Sequence, residues 1–229
     1  MPTVQKTLMY SVSFLSGLGS FIVICAALAT HRWISSTILI SDASSNGSIF
    51  ITYGLFRGES HQEFSQGLEE MTKHFAVLGL LAASVAKTLQ TVVVLLLALG
   101  LAASGLGCVF CFYNAVSNPY QTFLGPPGVY TWSGLSASFV LVGMVLFAVN
   151  TQSSRVSEDL VQKLYPVYPT SSHKGVTHSY GLSFWLLLLA LALDVVTTVV
   201  IAFYQRARSQ QRQEQRKPVE SAPRDGILF

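Results

Sequence analysis

Between Lys87 and Arg155 the chain carries no Asp, Glu, Lys, Arg or His across 67 residues. A water-soluble domain cannot keep that much backbone free of charge, because part of its surface must meet water. The stretch is long enough to cross a ~30 Å hydrocarbon core twice, at about 20 helical residues per crossing. In its middle stand Asn118-Pro119 and then Gly125-Pro126-Pro127-Gly128, the strongest turn chemistry in the sequence. It reads as a transmembrane helical hairpin with a short connecting loop.

Two further stretches have the same character. Residues 8–30 hold no charge, and residues 181–204 hold one, Asp194. With 51% hydrophobic and 11% charged residues, the composition is that of a membrane protein and excludes a soluble enzyme. Continuous apolar runs exclude the alternating pattern of a membrane barrel, so helices must satisfy the backbone in lipid. The expected fold is an all-α membrane protein, a four-helix transmembrane bundle of claudin-like tetraspan form. Its spans are expected at about 8–30, 89–113, 129–150 and 181–204. Residues 1–204 would form the membrane domain, with extracellular loops 31–88 and 151–180, and residues 205–229 a cytosolic basic tail. Lys6, the first apolar run and Ala27-Leu28-Ala29 also fit a signal peptide. The run exceeds the ~7–15 residues usual for such a segment, which favours a retained anchor.

Orientation must come from outside the charge-free stretch. The tail holds Arg206, Arg208, Arg212, Arg216, Lys217 and Arg224 against Glu214, Glu220 and Asp225. Basic residues beside a span favour the cytosol. Over the whole chain, however, the count is level between the two sides. The sequon Asn46-Gly47-Ser48 breaks the tie by placing the first loop outside, with Asn46 as a glycan acceptor. Both termini are then cytosolic, and the plasma membrane is the expected location.

In the first loop, residues 35–41 and 48–56 are rich in β-branched and aromatic side chains around Asn46-Gly47. This predicts a small antiparallel hairpin with its turn at Asn46-Gly47. Residues 64–74 read as a short amphipathic helix. Residues 75–86 are apolar but too short to span, and fit either an extension of the second helix or an interfacial segment. Residues 151–180 begin as a charged helix (Arg155, Glu158, Asp159, Lys163) and continue as a Pro-, Tyr-, Ser- and His-rich loop.

Several residues are candidates for chemistry. Asp194 is the one ionisable residue within a span. It reads either as an ion, proton or partner site, or as a structural acid facing a hydroxyl such as Ser104 or Ser138. Cys108 and Cys111 have the spacing of a redox or zinc pair but lack further ligands; packing or reversible S-palmitoylation fits them better. Small residues four apart (Ser13/Gly17, Ser16/Ser20, Gly100/Ser104/Cys108, Gly134/Ser138) favour close helix packing. Ser136 has no histidine beside it in any span, and no nucleotide or dinucleotide motif occurs, so no catalytic, cofactor, metal or nucleic-acid site is expected. Arg206, Arg208, Arg212, Arg216 and Lys217 are placed to meet anionic headgroups, and other membrane proteins are the expected partners. Ile227 and Phe229 suit the groove of a PDZ-domain scaffold that binds a C-terminal carboxylate.

Trp33-Ile34, Tyr53-Gly54-Leu55-Phe56-Arg57-Gly58-Glu59, Phe112-Tyr113-Asn114-Ala115, Pro119, Thr122, Gly125-Pro126, Gly128, Tyr130 and Ser183-Phe184-Trp185 together carry a resemblance. In them the chain resembles the clarin family of four-span membrane proteins, and the resemblance extends over nearly its whole length. It implies four spans, cytosolic termini, a glycosylated first loop and a non-enzymatic role. The family resembles claudins and tetraspanins distantly, and its best-known members serve hair cells and photoreceptors. Claudin-type adhesion couples Trp and Gly-Leu-Trp with paired cysteines in the first loop. Here Trp33 and Gly54-Leu55-Phe56 stand without such a pair, which argues against a paracellular seal. The leading expectation is a membrane scaffold or adaptor, by resemblance in a sensory-cell (hearing) setting. The alternatives are a channel or auxiliary subunit built on Asp194, and cell–cell adhesion through the first loop. Oligomeric state is not legible.

Overall fold

The computed structural model describes residues 2–41, 46–64, 71–81, 84–116, 125–167 and 173–220. Four long helices dominate: α1 (Pro2–Ala29), α3 (Val85–Val116), α4 (Pro126–Ser153) and α6 (Leu182–Glu220). All four are long and apolar enough to cross a membrane. Between them come β1 (Ile34–Ser41), β2 (Asn46–Tyr53), β3 (Arg57–Phe64), β4 (Lys73–Ala76), the single turn α2 (Val77–Leu80), α5 (Val156–Leu164) and β5 (His173–Tyr180). The long helices alternate in direction and form a ring in which α1 packs on α3 and α6, and α4 packs on α3 and α6. This is the four-helix bundle expected from the charge-free lengths.

The hairpin proline motif lies differently from its sequence reading. Gly125 is the N-cap of α4, and Pro126 and Pro127 occupy its first turn. Proline suits that place because its fixed φ is already helical and its missing N–H would have no partner there anyway. The expected turn at Asn118-Pro119 lies outside the described residues.

At the end where α1 and α4 finish and α3 and α6 begin, a five-stranded antiparallel sheet of order β4-β3-β2-β1-β5 caps the bundle. The expected hairpin is its centre, but its register differs. Ser41 pairs with Asn46 and Ile38 with Ile49, so Asn46 and Gly47 lie within β2 and not in the turn; residues 42–45 lie outside the described residues. A turn at 46–47 would pair Ile40 with Tyr53 and leave most of β1 opposite the wrong segment. The observed register instead sets Ile34, Ser36, Ile38 and Ile40 against Tyr53, Ile51, Ile49 and Gly47 on one buried face.

Two expectations for the loops give way to strand pairing. The amphipathic helix at 64–74 is absent at both ends: Phe64 closes β3 and Lys73–Ala76 form β4. Residues 65–70 lie outside the described residues. Of residues 75–86, only Val85 and Ala86 extend the helix of the second span; Phe75 and Ala76 end β4, Val77–Leu80 form α2, and residues 82–83 lie outside the described residues. The charged helix after Arg155 is present as α5, entered through Arg155 at φ 46°. The loop after it returns as β5, which pairs with β1 along its whole length.

One buried core runs from the inner face of the sheet into the near half of the bundle, through Trp33, Ile38, Ile51, Leu160, Phe147, Leu97 and Val140. A second gathers at the far end around Tyr10, Cys111, Val129, Ile201 and Tyr204. α1 contributes to both, and it is a working member of the bundle.

Candidate functional site

Three features stand out: the joint between sheet and bundle, a hydroxyl network inside the head, and a polar belt across the bundle. The joint is built on Trp33 and three close backbone approaches. Trp33 is fully buried, donates from Nε1 to the Ala27 carbonyl at 2.8 Å, and packs edge-on against Phe147 at 4.9 Å. Gly181, between β5 and α6, donates its N–H to the Trp33 carbonyl at 2.8 Å. A Cβ there would sit 2.2 Å from the Arg32 carbonyl oxygen, and one on Gly54 would sit 2.6 Å from that of Thr30. Only glycine permits either crossing. On the other side, Gln90 of α3 donates to the Leu55 carbonyl at 3.3 Å, while Asn150 of α4 donates to the Ala86 carbonyl at 3.1 Å. The first-loop sequence Tyr53-Gly54-Leu55 is thus the hinge plate by which the head is fixed to the spans.

Within the head, α5 covers the inner face of the sheet. The Ser36 hydroxyl lies 2.9 Å from that of Ser157 and 2.7 Å from Nδ1 of His178. The Tyr53 hydroxyl lies 3.0 Å from Ser157. Burial pushes the Tyr53 phenol up to about 12, against the opposing hydrogen bond from Ser157. This network ties together β1, β2, α5 and β5, which come from both loops. Lys163 of α5 also donates to the Leu80 carbonyl, and Lys73 lies 4.0 Å from the centre of the Tyr165 ring.

The belt lies between the two cores on every span. Ser13 and Ser20 fall between Tyr10 and Ile24, and Ser104 and Cys108 between Leu97 and Cys111. Ser133 and Ser136 fall between Val129 and Val140, and Asp194 and Thr197 between Ala190 and Ile201. Asp194 is buried, and the side chains interacting with its carboxyl are Ser20 and Ser136. Ser138, one of the sequence candidates for that role, is exposed and donates to Gly134 O at 2.7 Å. The reason is helical phase: α4 turns Ser133, Ser136, Val140 and Gly143 inward, leaving Ser138 and Gly134 on the outer face. Oδ2 of Asp194 and the hydroxyls of Ser13, Ser104 and Ser136 make no hydrogen bond of ordinary geometry. The other small-residue pairs do bring helices together. Gly17 lets Cys108 Sγ approach to 3.3 Å of where a Cβ would stand, and Gly100 does the same for Val140 at 3.1 Å.

The remaining sequence candidates scatter. Cys108 and Cys111 are both buried between helices. Asn46 begins β2 at the end of the hairpin remote from the bundle. Arg206 and Arg208 lie on α6 past the apolar span, with Arg212, Arg216 and Lys217 further along the same helix. Tyr130 donates to Oε1 of Gln205 at 3.2 Å, seating the helix where it leaves the bundle. Ile227 and Phe229 lie outside the described residues. Sequence reading missed His178, Ser157 and Gly181; the Gly181 that begins the last charge-free run was the available signal.

Four alternating apolar helices capped by a sheet from two loops define a multi-pass tetraspan membrane protein. A family model described as Clarin-2-like matches residues 4–202. The chain is 62% identical to human Clarin-3 and 61% identical to mouse Clarin-3, each over 229 residues and all of both chains. It is 26% identical to human Clarin-1 over 218 residues, 88% of this chain and 89% of that one. The chain belongs to the clarin family.

Proposed function

We propose that this clarin is a non-enzymatic plasma-membrane scaffold that holds partner membrane proteins around its bundle. In this reading both termini are cytosolic, loops 31–88 and 151–180 lie outside with Asn46 glycosylated, and residues 205–229 face the cytosol. The observation that carries the reading is the single core continuous from sheet to bundle, because a head so fixed presents a constant surface to a partner. At the other end α6 continues as helix to Glu220, and its sequence there repeats a basic residue every four positions at Arg208, Arg212 and Arg216. Such a basic run suits anionic headgroups, and Ile227 and Phe229 beyond it would engage a PDZ-type scaffold. The sensory-cell setting is carried over from the family resemblance.

A channel centred on Asp194 has less support, since the belt is closed by Leu97, Val140 and Ala190 on one side and Val129, Ile201 and Tyr10 on the other. Proximity labelling from the tail in native tissue, with co-purification, should return membrane proteins and a scaffold whose capture falls on deletion of Phe229. Cation currents from the purified chain in planar bilayers, abolished by Asp194→Asn, would overturn the scaffold reading in favour of the channel.

A further inference from the structure

Two cavities meet where α1 ends beneath the sheet, and they share His31 and Arg57. The upper one, ≈ 490 Å³, is lined by Arg57, Glu59, His74 and Phe75 from β3 and β4. The lower one, ≈ 660 Å³, descends between α1 and α3 and is lined by Cys25, Leu28, Phe56 and Leu101. Both are of the size that holds small ligands, roughly 300–1,000 Å³. Their chemistry divides by height. The lower walls are apolar and lie within the spans, whereas the upper walls carry a cation, an anion and two imidazoles at the level where helix gives way to head.

We propose that this paired cleft binds a zwitterionic phospholipid, its headgroup phosphate at Arg57 and its ammonium at Glu59, with an acyl chain along Cys25, Leu28 and Leu101. Arg57 is exposed and has no ion pair among the described residues, so its guanidinium is available for two charge-assisted hydrogen bonds to phosphate. Glu59 lies 3.5 Å from Nε2 of His31 and is still 36% exposed, leaving a carboxylate oxygen for the ammonium. Glu59 opposes a purely anionic ligand, because a second negative charge beside it would be repelled. The balanced pair Arg57 and Glu59 therefore selects a headgroup that carries both signs.

The inference is independent of the scaffold role; with the head outside, as proposed above, the lipid would come from the outer leaflet. The test is native mass spectrometry of the full chain released from nanodiscs of equal parts phosphatidylcholine, phosphatidylethanolamine and phosphatidylglycerol. Wild type should retain phosphatidylcholine over phosphatidylglycerol by about tenfold, the worth of one charge-assisted contact. Arg57→Ala should remove most of that retention. Leu101→Trp, which fills the lower cavity without touching charge, should do the same, and Glu59→Gln should shift preference toward phosphatidylglycerol. Equal retention of all three lipids, preferential retention of phosphatidylglycerol by wild type, or unchanged retention in both Arg57→Ala and Leu101→Trp would each overturn the site. An antibody to an epitope inserted at residues 65–70, read on intact cells, reports the leaflet separately. The lipid site can thus fail without the orientation, and the orientation without the lipid site.

Discussion

Ser36, Tyr53 and Ser157 are buried between the sheet and α5, and each hydroxyl lies within 3.0 Å of another. Ser13, Ser104, Ser136 and one oxygen of Asp194 are buried as deeply in the bundle and bond nothing at ordinary geometry. Among the described residues every such orphan side-chain atom, including Trp132 Nε1 and Asn150 Oδ1, belongs to one of the long helices and none to the head. The difference follows from where each region comes from when it folds. A head hydroxyl leaves water, so a missing partner forfeits its hydration. A hydroxyl in a span has already left water when its helix enters lipid, and packing the helices then changes its surroundings little.

The contrast can be broken in order of expected effect. Gly181→Ala should be the most severe, on the order of 3 kcal/mol, because the added Cβ meets backbone at 2.2 Å and neither Arg32 nor Trp33 can yield. It is read as the fraction of chain that elutes as a monodisperse species in detergent; wild-type recovery would mean the head is not fixed to the bundle through this joint.

Alkaline pH comes next. The Tyr53 phenol ionises at about 12 in the folded head against about 10 unfolded, since burial raises it. A raised folded value means stability that is whole below pH 10 and is lost as pH climbs through 12, roughly 2–3 kcal/mol in all. Thermal unfolding between pH 9 and 12 should show that decline, and Tyr53→Phe should flatten it. An identical slope in both proteins would remove Tyr53 from the account.

Ser157→Ala should cost about 1–2 kcal/mol, because it leaves the Tyr53 hydroxyl buried and without that partner. Ser104→Ala is the smallest and the sharpest comparison. It removes a buried hydroxyl that bonds nothing at ordinary geometry, so stability should change by no more than about 0.5 kcal/mol. If denaturation showed the Ser104 change to cost more than the Ser157 change, the belt would be a bonded network and the contrast with the head would be reversed.

Much of the bundle was legible beforehand because the property that marks it is additive along the chain. About twenty consecutive apolar, uncharged residues identify a crossing regardless of what surrounds them, and Asp194 was visible as an exception for the same reason. The partners of Asp194 were not visible. Ser104 and Ser138 were as plausible from spacing as Ser20 and Ser136, and only helical phase and the ring order of the spans choose among them. In the head, alternating residues revealed β1 and β2, but Asn46-Gly47 was a misleading turn signal. Overlap of two eight-residue strands outweighed the local preference of two residues for positive φ. The helix expected at 64–74 failed similarly, as Phe64 and Lys73 were taken into strands by their neighbours.

The sequence by itself determined that this protein lives in a membrane, crosses it four times and carries a basic end, because hydrophobic length and charge are properties of contiguous residues. Tertiary structure alone decided that the second loop supplies the fifth strand, that His178 meets Ser36 across 142 positions, and that Arg57 and Glu59 hang above a groove between α1 and α3. Those outcomes depend on which distant surfaces exclude water or lipid from each other, and no local stretch of chain contains that information.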